Sequence, residues 1–591
     1  MMSISFFRKM LRHITSPTAK LALVLSAITC AEAQEVLFRQ VADTKTDTYV
    51  EATALFSNPS LGGYHPVRVV IANNQLIPHN IFLNFTDATD YNDSITTSSD
   101  FPFYAPPGKT VTYDILVPLS PQNGNSPYQS LKASLSGTMG KANSNETTVF
   151  EANQPEVLLS DTLHGPNGSA LDTELSSRGS SSRSGKRSFS SRFSAKQLPD
   201  DWRAFSGFDS IMMTGDDWSA APPGPRNAII SWVRLGGQLV IFSQASPTMS
   251  SLGLPTDPSF GQIMIKPIAA DLRLNAASTV DLAYRRGGAS PKTRMKAITN
   301  DFDSSWPAQD ELGEKSFNYV SFILILIAFG IIVGPVNLFV FAKSGRRHRL
   351  FITTPIIALA TSLILVVLII LQDGFGGEGR RVVLMEVRPD QGQNAAFIHQ
   401  EQFSRTGVMT SSGFIVDASA FMAPVPIAQT RWSRFTDAYD TSGSYDLQPA
   451  DGKLFASGSW FQSRSEQGQT LTAVVPTRGR IEATAKPDTL VSTFDFPIET
   501  LLYLDANGNW HRADKITKGK AITLSPIDPT MVQPVLNDLA NRFTGRNKSF
   551  FKKVDERKDH FVAFTNQAPA IETHPGIAWK TSTVITGPIA R

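Results

Sequence analysis

Two long runs of apolar residues interrupt a chain in which apolar and polar positions otherwise alternate over short distances. Residues 321–342 and 351–371 contain no charged side chain. At ~1.5 Å per residue, an α-helix of either length spans the ~30 Å hydrocarbon core of a bilayer. A buried helix of a soluble domain is the alternative, but two such runs only eight residues apart argue against it. The pattern predicts a transmembrane hairpin with helices over 318–342 and 351–371.

The turn between the two runs is basic. Lys343, Arg346, Arg347 and Arg349 lie in it without a compensating acid, whereas several acids precede the first run. Short loops rich in Lys and Arg stay on the cytoplasmic side of a membrane. We therefore predict a cytoplasmic loop over 343–350, with the regions on both sides of the hairpin outside the cytoplasm. The lipid bilayer is thus the first expected partner.

The N-terminus has the three parts of a secretory signal. A basic segment precedes a short apolar core, and Ala31-Glu32-Ala33 supplies a small-x-small cleavage pattern. This predicts a signal peptide over 1–33, which agrees with an exported N-terminal region. Lipidation of Cys30 and an uncleaved anchor helix are the alternatives. The apolar core is too short to cross a bilayer.

Three residues break the first apolar run. Proline at Pro335, after Gly334, removes a helical hydrogen bond and predicts a kink. An amide in hydrocarbon needs a partner, so we expect Asn337 to face the second helix. Two interpretations remain open, a packing contact between the helices and a ligand or signalling site. Packing is the favoured one.

Short alternating stretches on both sides of the hairpin predict β-structure. Before it, turns rich in Pro and Gly separate the stretches, which predicts a β-sandwich over 34–152. His65 and His79 flank two of these strands, and we interpret both as surface residues because nothing gives them metal-ligand spacing. After the hairpin, the pattern predicts a mainly-β extracytoplasmic domain over 380–591.

A different pattern lies between the sandwich and the hairpin. Two short buried strands, 208–215 and 238–244, are joined by a helix that begins near Pro225 and stops at a Gly-Gly pair. Strand, helix and strand form a βαβ unit, which predicts an α/β domain over 153–300. The Ser- and Arg-rich stretch 176–196 is interpreted as a flexible loop of this domain.

This central part resembles a known family. The sequence LPDDWRAFSGFDSIMMTGDDW, a helix ending in WVRLGG and the strand QLVIF are similar to the class I glutamine amidotransferase-like domain, which is flavodoxin-like. A version of that domain recurs in a family of uncharacterised bacterial membrane proteins with a β-domain before it, and paired helices with a Gly-Pro-x-Asn element and a basic turn after it. The resemblance covers roughly 60–400. It implies a multidomain α/β plus all-β chain: an N-terminal β-sandwich, a flavodoxin-like α/β domain, a two-helix transmembrane hairpin and a C-terminal mainly-β domain.

The chain lacks the catalytic residues of the amidotransferases. Those enzymes use a cysteine at a nucleophile elbow with a His–Glu pair, but here Ser243-Gln244-Ala245-Ser246 follows the strand. We therefore expect no catalytic residue, no metal and no cofactor. A serine hydrolase based on Ser243 or Ser246, with His164 as its base, is the alternative enzyme.

Asp216 and Asp217 follow a strand at the edge where flavodoxin-like folds bind ligands. Two carboxylates there could hold a cation, although a solvated turn with acids at a helix start is the favoured interpretation. Together with Ser243, they are the candidate ligand-binding residues.

Composition narrows the class of protein. With 55 basic and 52 acidic residues the net charge is +3, so nothing indicates nucleic-acid binding. The single cysteine falls in the predicted signal peptide, which favours a bacterial envelope protein without disulfides. We predict a non-catalytic, multi-pass protein of the bacterial inner membrane that binds other membrane or envelope proteins. A divergent hydrolase or small-ligand-binding enzyme that uses the α/β crevice is the alternative.

Overall fold

The structure is a computed structural model. It describes residues 35–60, 62–89, 95–121, 128–149, 154–178, 188–284, 306–316, 319–388, 394–425, 427, 430, 432–433, 443–486, 489–554 and 556–590. Two predictions lie outside these residues. They are the signal peptide over 1–33 and the middle of the Ser- and Arg-rich stretch, 179–187.

Eight strands form the first region. They are β1 (Glu35–Asp43), β2 (Thr48–Ala54), β3 (Gly63–Asn73), β4 (His79–Thr89), β5 (Ile95–Ala105), β6 (Lys109–Leu119), β7 (Tyr128–Gly137) and β8 (Ala142–Val149). One antiparallel sheet has the order β1-β2-β3-β6, and β5-β4-β7-β8 belong to a second sheet. Every second residue of β4 is buried, so one face of its sheet meets a core. Val69 and Ile71 of the first sheet share that core with Leu83 and Phe85 of the second, and the sheets therefore pack face to face.

The two histidines of this region are buried, so their interpretation as surface residues was wrong. His65 is 1% exposed and His79 is 5% exposed. The ring nitrogens of His79 lie 2.9 Å from Thr138 Oγ1 and from Gln75 Oε1. Burial lowers the pKa of His65 to about 4, which keeps its ring neutral at pH 7. The sequence does not show whether a polar residue at the end of a strand points into the core or into solvent. For these two histidines the tertiary packing decided it.

The α/β region follows. Its elements are β9 (Val157–Ser160), α1 (Asp161–Arg178), β10 (Ser191–Phe193), β11 (Ser210–Thr214), α2 (Gly215–Ala220), α3 (Pro223–Arg234), β12 (Gln238–Ser243), β13 (Gln262–Pro267) and α4 (Ala276–Ala283). All strand pairs are parallel, in the order β10-β9-β11-β12-β13. Numbered within the domain this order is 2-1-3-4-5, which one class of doubly wound α/β folds has. Every residue of β11 is buried, as expected for a parallel sheet covered on both faces.

Both ends of the Ser- and Arg-rich stretch have regular secondary structure, which corrects the loop prediction there. Ser176 to Arg178 form the last turn of α1, where Arg178 pairs with Glu174 at 2.7 Å and with Asp281 at 2.5 Å. Ser191–Phe193 is β10, which pairs with β9. A stretch rich in Ser and Arg is not expected to form a strand or to pack against a core. Here neighbouring elements supply ion-pair and strand partners for its two ends.

The apolar runs form two helices that extend from the rest of the fold. The elements are α5 (Pro307–Leu312), β14 (Lys315–Ser316), α6 (Tyr319–Ile331), a π-helix (Ile332–Phe341) and α7 (Leu350–Asp373). The segments Tyr319–Phe341 and Arg347–Asp373 are long and apolar enough to cross a membrane, with mean hydropathies of 2.7 and 2.8. In their most apolar windows only 6% and 0% of the residues are buried. A core helix of a soluble domain would be mostly buried.

The region after the hairpin is mainly β. Its elements are β15 (Gly377–Arg388), β16 (Ala395–Thr406), β17 (Phe414–Asp417), β18 (Ala420–Val425), β19 (Trp432–Ser433), β20 (Gly443–Ala450), β21 (Lys453–Gly458), β22 (Glu466–Pro476), β23 (Ile481–Ala483), β24 (Thr489–Ser492), β25 (Ile498–Leu504), β26 (Trp510–Ile516), β27 (Ala521–Thr523), β28 (Ser525–Pro526), α8 (Pro529–Ala540), α9 (Gly545–Val554), β29 (His560–Thr565) and β30 (Ile577–Pro588). A nine-stranded sheet has the order β18-β22-β16-β15-β30-β29-β25-β26-β28. Helices α8 and α9 cover one of its faces through Leu536, Leu539, Phe550 and Phe551.

The regions before and after the hairpin share a sheet. Strands β17, β21 and β20 extend the second sheet of the sandwich, and β20 pairs in parallel with β5 from Gly443↔Ile95 to Asp446↔Ser98. The hairpin is therefore an insertion between two parts of one folded unit, which we call the body. The sequence boundaries at 34–152 and 380–591 separate strands that belong to a common sheet.

Candidate functional site

The polar residue inside the first helix contacts the second helix. Asn337 is fully buried, and its Nδ2 donates to Thr354 Oγ1 at 2.9 Å. Thr353 Oγ1 donates to Asn337 Oδ1 at 2.6 Å. The amide thus has both a donor and an acceptor partner on α7. The sequence predicted that Asn337 faces the second helix, but it did not identify the two threonines as its partners.

A π-helical segment places this amide. Pro335 lacks a backbone N–H and cannot complete the ordinary helical ladder, and the helix widens into the π-form over Ile332–Phe341. The backbone N–H of Ala342 bonds the carbonyl of Asn337 at 2.9 Å, five residues back. Asn337 lies in this wider turn, and its side chain contacts α7. Gly334 lies beside open space, with no atom within 4 Å of a Cβ built on it.

The basic turn is exposed. Lys343, Arg346, Arg347 and Arg349 are all exposed. None of them forms an ion pair with any residue in the described part of the chain. Their positive charge is therefore available to the surroundings of the hairpin tip.

Both ends of the hairpin are tied to the body. Asp373, the last residue of α7, is 7% exposed and pairs with Arg464 Nε at 2.5 Å. Lys315, just before α6, donates from Nζ to the carbonyl of Asp373 at 3.3 Å. Arg380, which follows the second span, pairs with Glu311 at 3.5 Å. This arginine is thus part of the folded junction and not a free membrane-flanking charge.

The carboxyl edge of the parallel sheet holds the predicted acidic pair. Asp217 and Thr214 form a capping box at the start of α2. The N–H of Asp217 donates to Thr214 Oγ1 at 3.0 Å, and Asp217 Oδ2 accepts from the N–H of Thr214 at 3.1 Å. Thr162 of α1 donates to Asp217 Oδ1 at 2.8 Å. Asp217 therefore starts a helix and links two of them, whereas Asp216 beside it is exposed.

The serines and the histidine of the alternative hydrolase are not brought together. Ser243 ends β12 beside α2, and its Oγ would lie 3.6 Å from a Cβ built on Gly215. His164 lies on α1 with its ring against Gly168. Burial, aided by Arg192, lowers the pKa of His164. Among the described residues no hydrogen bond joins this histidine to Ser243 or Ser246, nor do three or more His, Cys, Asp or Glu side chains group to hold a metal ion.

One charged cluster was missed by sequence reasoning. Arg388 and Arg557 each contact both Asp257 and Glu386, at 2.6 to 2.8 Å. Burial alone would raise the pKa of the fully buried Glu386, but the two arginines outweigh it and lower the pKa. Asp257 belongs to the α/β region and the other three residues to the nine-stranded sheet and the segment after α9. The cluster joins these two parts, and its four members are too far apart in sequence for a local signal.

Comparisons with known proteins found no similarity that helps to interpret this geometry. No family model matches the chain, and no curated protein matches it. A calcium-binding mutant of Bacteroides uniformis beta-glucuronidase 2 aligns with 34% of this chain and 24% of its own, at 12% identity and a TM-score of 0.14. The same enzyme covalently bound to cyclophellitol-6-carboxylate aziridine aligns over 36% and 25%, at 12% identity and a TM-score of 0.14.

A beta-glucuronidase from glycoside hydrolase family 2 gives similar values. It aligns with 41% of this chain and 23% of its own, at 13% identity and a TM-score of 0.13. The matches thus span about a quarter of the length of these enzymes. Similarity at this level supports no inference about fold or activity.

Proposed function

We propose that this chain is a non-catalytic protein of the bacterial inner membrane, whose extracytoplasmic body binds or assembles with other proteins of a membrane complex. The observation that carries the proposal is the hairpin. Two lipid-compatible helices are inserted between two halves of one folded body and clamped to it at both ends. This arrangement suits an anchored binding unit, because the body is held at a defined orientation to the bilayer.

The exposed side chains of the hairpin support a membrane location. Phe339, Phe351, Leu359 and Leu371 are each more than 70% exposed. Burying one such side chain is worth about 1.5–3 kcal/mol. A helix pair with apolar residues on every side is therefore stable in lipid but not in water. Asn337 of the first helix and Thr353 and Thr354 of the second bond one another between the helices.

Two features taken together support the proposed orientation. A hairpin crosses twice, so both of its flanks lie on one side of the membrane, as the shared sheet of β5 and β20 requires. The exposed basic turn at 343–350 favours the cytoplasmic side. The body is then extracytoplasmic.

A non-catalytic role is supported by the contacts at the α/β edge. The carboxylate of Asp217 accepts hydrogen bonds from Thr214 and Thr162, which are structural contacts. Ser243 lies against Gly215, and no hydrogen bond joins it to His164 among the described residues. The strand order fits the flavodoxin-like, amidotransferase-like domain that the sequence resembles, and the nucleophilic cysteine of that family has no counterpart.

Affinity purification of the full chain in lipid nanodiscs tests the proposal. We expect membrane proteins to co-purify with the wild type and, unchanged, with the Asp216→Ala and Ser243→Ala variants. Asp217 is unsuited to this test because its loss would disturb the start of α2. A purified chain, freed of residues 1–33, that dissolves in detergent-free buffer as a single species would contradict the membrane location.

One observation favours the alternative, a hydrolase or ligand-binding enzyme that uses the crevice. Ser160 ends β9 beside β11, where the strand order reverses, and its buried hydroxyl has no hydrogen-bond partner among the described residues. Ligands bind at such switch points in open α/β sheets. Under this alternative, Ser160→Ala and Asp216→Ala would abolish the cellular phenotype while leaving co-purification intact.

A further inference from the structure

A cavity of about 690 Å³ lies on one face of the two outer strands of the parallel sheet, β12 and β13, next to α4. This volume is in the range of sites that hold small molecules. Phe242, Met264, Leu274 and Leu282 give the cavity an apolar lining. It is separate from the carboxyl-edge crevice, since neither Asp216, which lies there, nor its neighbours line it.

A residue that lines this cavity has a buried acceptor without a donor among the described residues. Gln238 is 0% exposed, and its Nε2 donates to the carbonyl of Leu282 at 2.9 Å. Its Oε1 is without a hydrogen-bond partner among the described residues. Nearly all buried polar atoms in proteins are paired, because an unpaired one has lost its water without compensation. A ligand N–H or O–H in the cavity would supply the missing donor.

A strained loop presents a cation to the same cavity. Leu272 has a φ of +56°, which a leucine adopts only when its surroundings impose it. The buried side chain of Asn167 imposes it. Its Nδ2 donates to the carbonyl of Leu272 and its Oδ1 accepts from the N–H of Leu274, both at 2.8 Å. Arg273, held between these two clamped residues, is exposed and lines the cavity.

The charge balance of the lining favours an anion. Lys266, at the end of β13, is the second cation, and neither it nor Arg273 pairs with a carboxylate among the described residues. The one acidic group of the lining, Asp281, is engaged by Arg178 at 2.5 Å. Two uncompensated positive charges thus remain above an apolar floor.

We propose that this cavity binds a small organic anion that carries an apolar body and a hydrogen-bond donor. The anionic group contacts Lys266 and Arg273, the body lies against Phe242 and Met264, and the donor reaches Gln238 Oε1. The site does not depend on the role of the membrane hairpin.

Isothermal titration of the full chain in phosphatidylcholine nanodiscs tests the site, with 4-hydroxybenzoate as the probe. We expect saturable binding by the wild type. Benzoate, which lacks the donor, and 4-hydroxybenzamide, which lacks the charge, should each bind several-fold more weakly. This comparison uses only the wild-type protein, so it does not depend on the folding of any variant.

The protein-side test removes the two cations. The Lys266→Met/Arg273→Met variant should bind the probe about tenfold more weakly or worse, because charge-assisted contacts are among the strongest. Lys109→Met/Lys196→Met removes two exposed cations outside the cavity and should leave the affinity unchanged. The proposal is wrong if the wild type shows no saturable binding at millimolar probe, or if the three compounds and the two variants give equal affinities.

Discussion

The hairpin and the body each join two elements through a buried polar contact, but the chemistry of the two contacts differs. In the hairpin, one amide and two threonine hydroxyls connect the helices, and none of the three groups is charged. In the body, a cluster of two carboxylates and two guanidinium groups connects the α/β region to the nine-stranded sheet.

The proposed membrane location of the hairpin explains the difference. A charge in hydrocarbon has no polar neighbours to replace its water, so membrane helices use neutral groups that cost less to desolvate. Inside the body, each charge meets two opposite charges at hydrogen-bond distance, which offsets much of the desolvation penalty. Breaking one charged group should therefore cost far more than breaking the amide contact.

Glu386→Gln gives the largest expected effect. It leaves the buried Arg388 and the half-buried Arg557 facing one carboxylate, and breaking a buried ion pair costs about 3–5 kcal/mol. Denaturant unfolding of the body should show this loss. Asp514→Asn breaks an ion pair with Arg512 that is 39% and 47% exposed, and it should cost under about 1 kcal/mol. Equal stability of the two variants would refute the contrast between buried and exposed charges.

The second-largest expected effect is the change in the stability of the body with pH. Burial raises the pKa of Asp87 from 3.8 to about 7, so the folded chain holds this proton more tightly than the unfolded chain. Stability from this group is complete below pH 3.8 and is lost as the pH rises through about 7.

Hydrogen exchange of β4 measures this effect once the rates are divided by the base-catalysed intrinsic exchange rate, and the resulting protection should be lower at about pH 8 than at about pH 5 in the wild type. Asp87→Asn should flatten the profile. A smaller dependence on pH should remain in this variant because of Glu146, whose pKa is also raised to about 7 by burial and nearby acids. Asp100→Asn, at an exposed site on β5, is the control and should keep the full slope. A flat wild-type profile would contradict the assignment.

At the edge of the body, Asp217→Ala should destabilise the start of α2 by about 1 kcal/mol, the usual value of a cap. It removes the acceptor for the Thr214 N–H and for Thr162. Asp216→Ala, one residue away and exposed, should change stability by less than about 0.5 kcal/mol. Thermal unfolding of the two variants side by side measures the difference, and a larger effect at Asp216 would indicate that this residue has the structural role.

Asn337→Leu should have the smallest effect. Interhelical hydrogen bonds in membranes average about 0.6 kcal/mol, so the hairpin should remain folded with slightly weaker association of its helices. Steric trapping of the two helices in nanodiscs measures this. Ser362→Ala, which changes an exposed residue of α7, should have no effect. A loss of several kcal/mol at Asn337 would remove the contrast with the body.

The sequence predicted a feature correctly where that feature depends on residues close to one another along the chain. The direction of Asn337 could be predicted because an amide in an apolar run needs a partner nearby. The cavity beside β12 could not, since Gln238 and Arg273 are ordinary polar residues in sequence. The burial of Oε1 and the clamp from Asn167 arise only when distant segments pack. The same reason applies to Ser191–Phe193, whose strand partner lies more than 30 residues away.

By itself the sequence determined the two long apolar helices, their basic turn and the βαβ pattern between the β-regions. Each of these depends on a requirement that acts within a few turns of one segment, such as matching a bilayer or covering a parallel strand. Only the tertiary structure decided that β20 pairs with β5, that Arg557 reaches Asp257, and that the hairpin is an insertion in one body. Those contacts join residues hundreds of positions apart, and their free energy depends on geometry that no local pattern encodes.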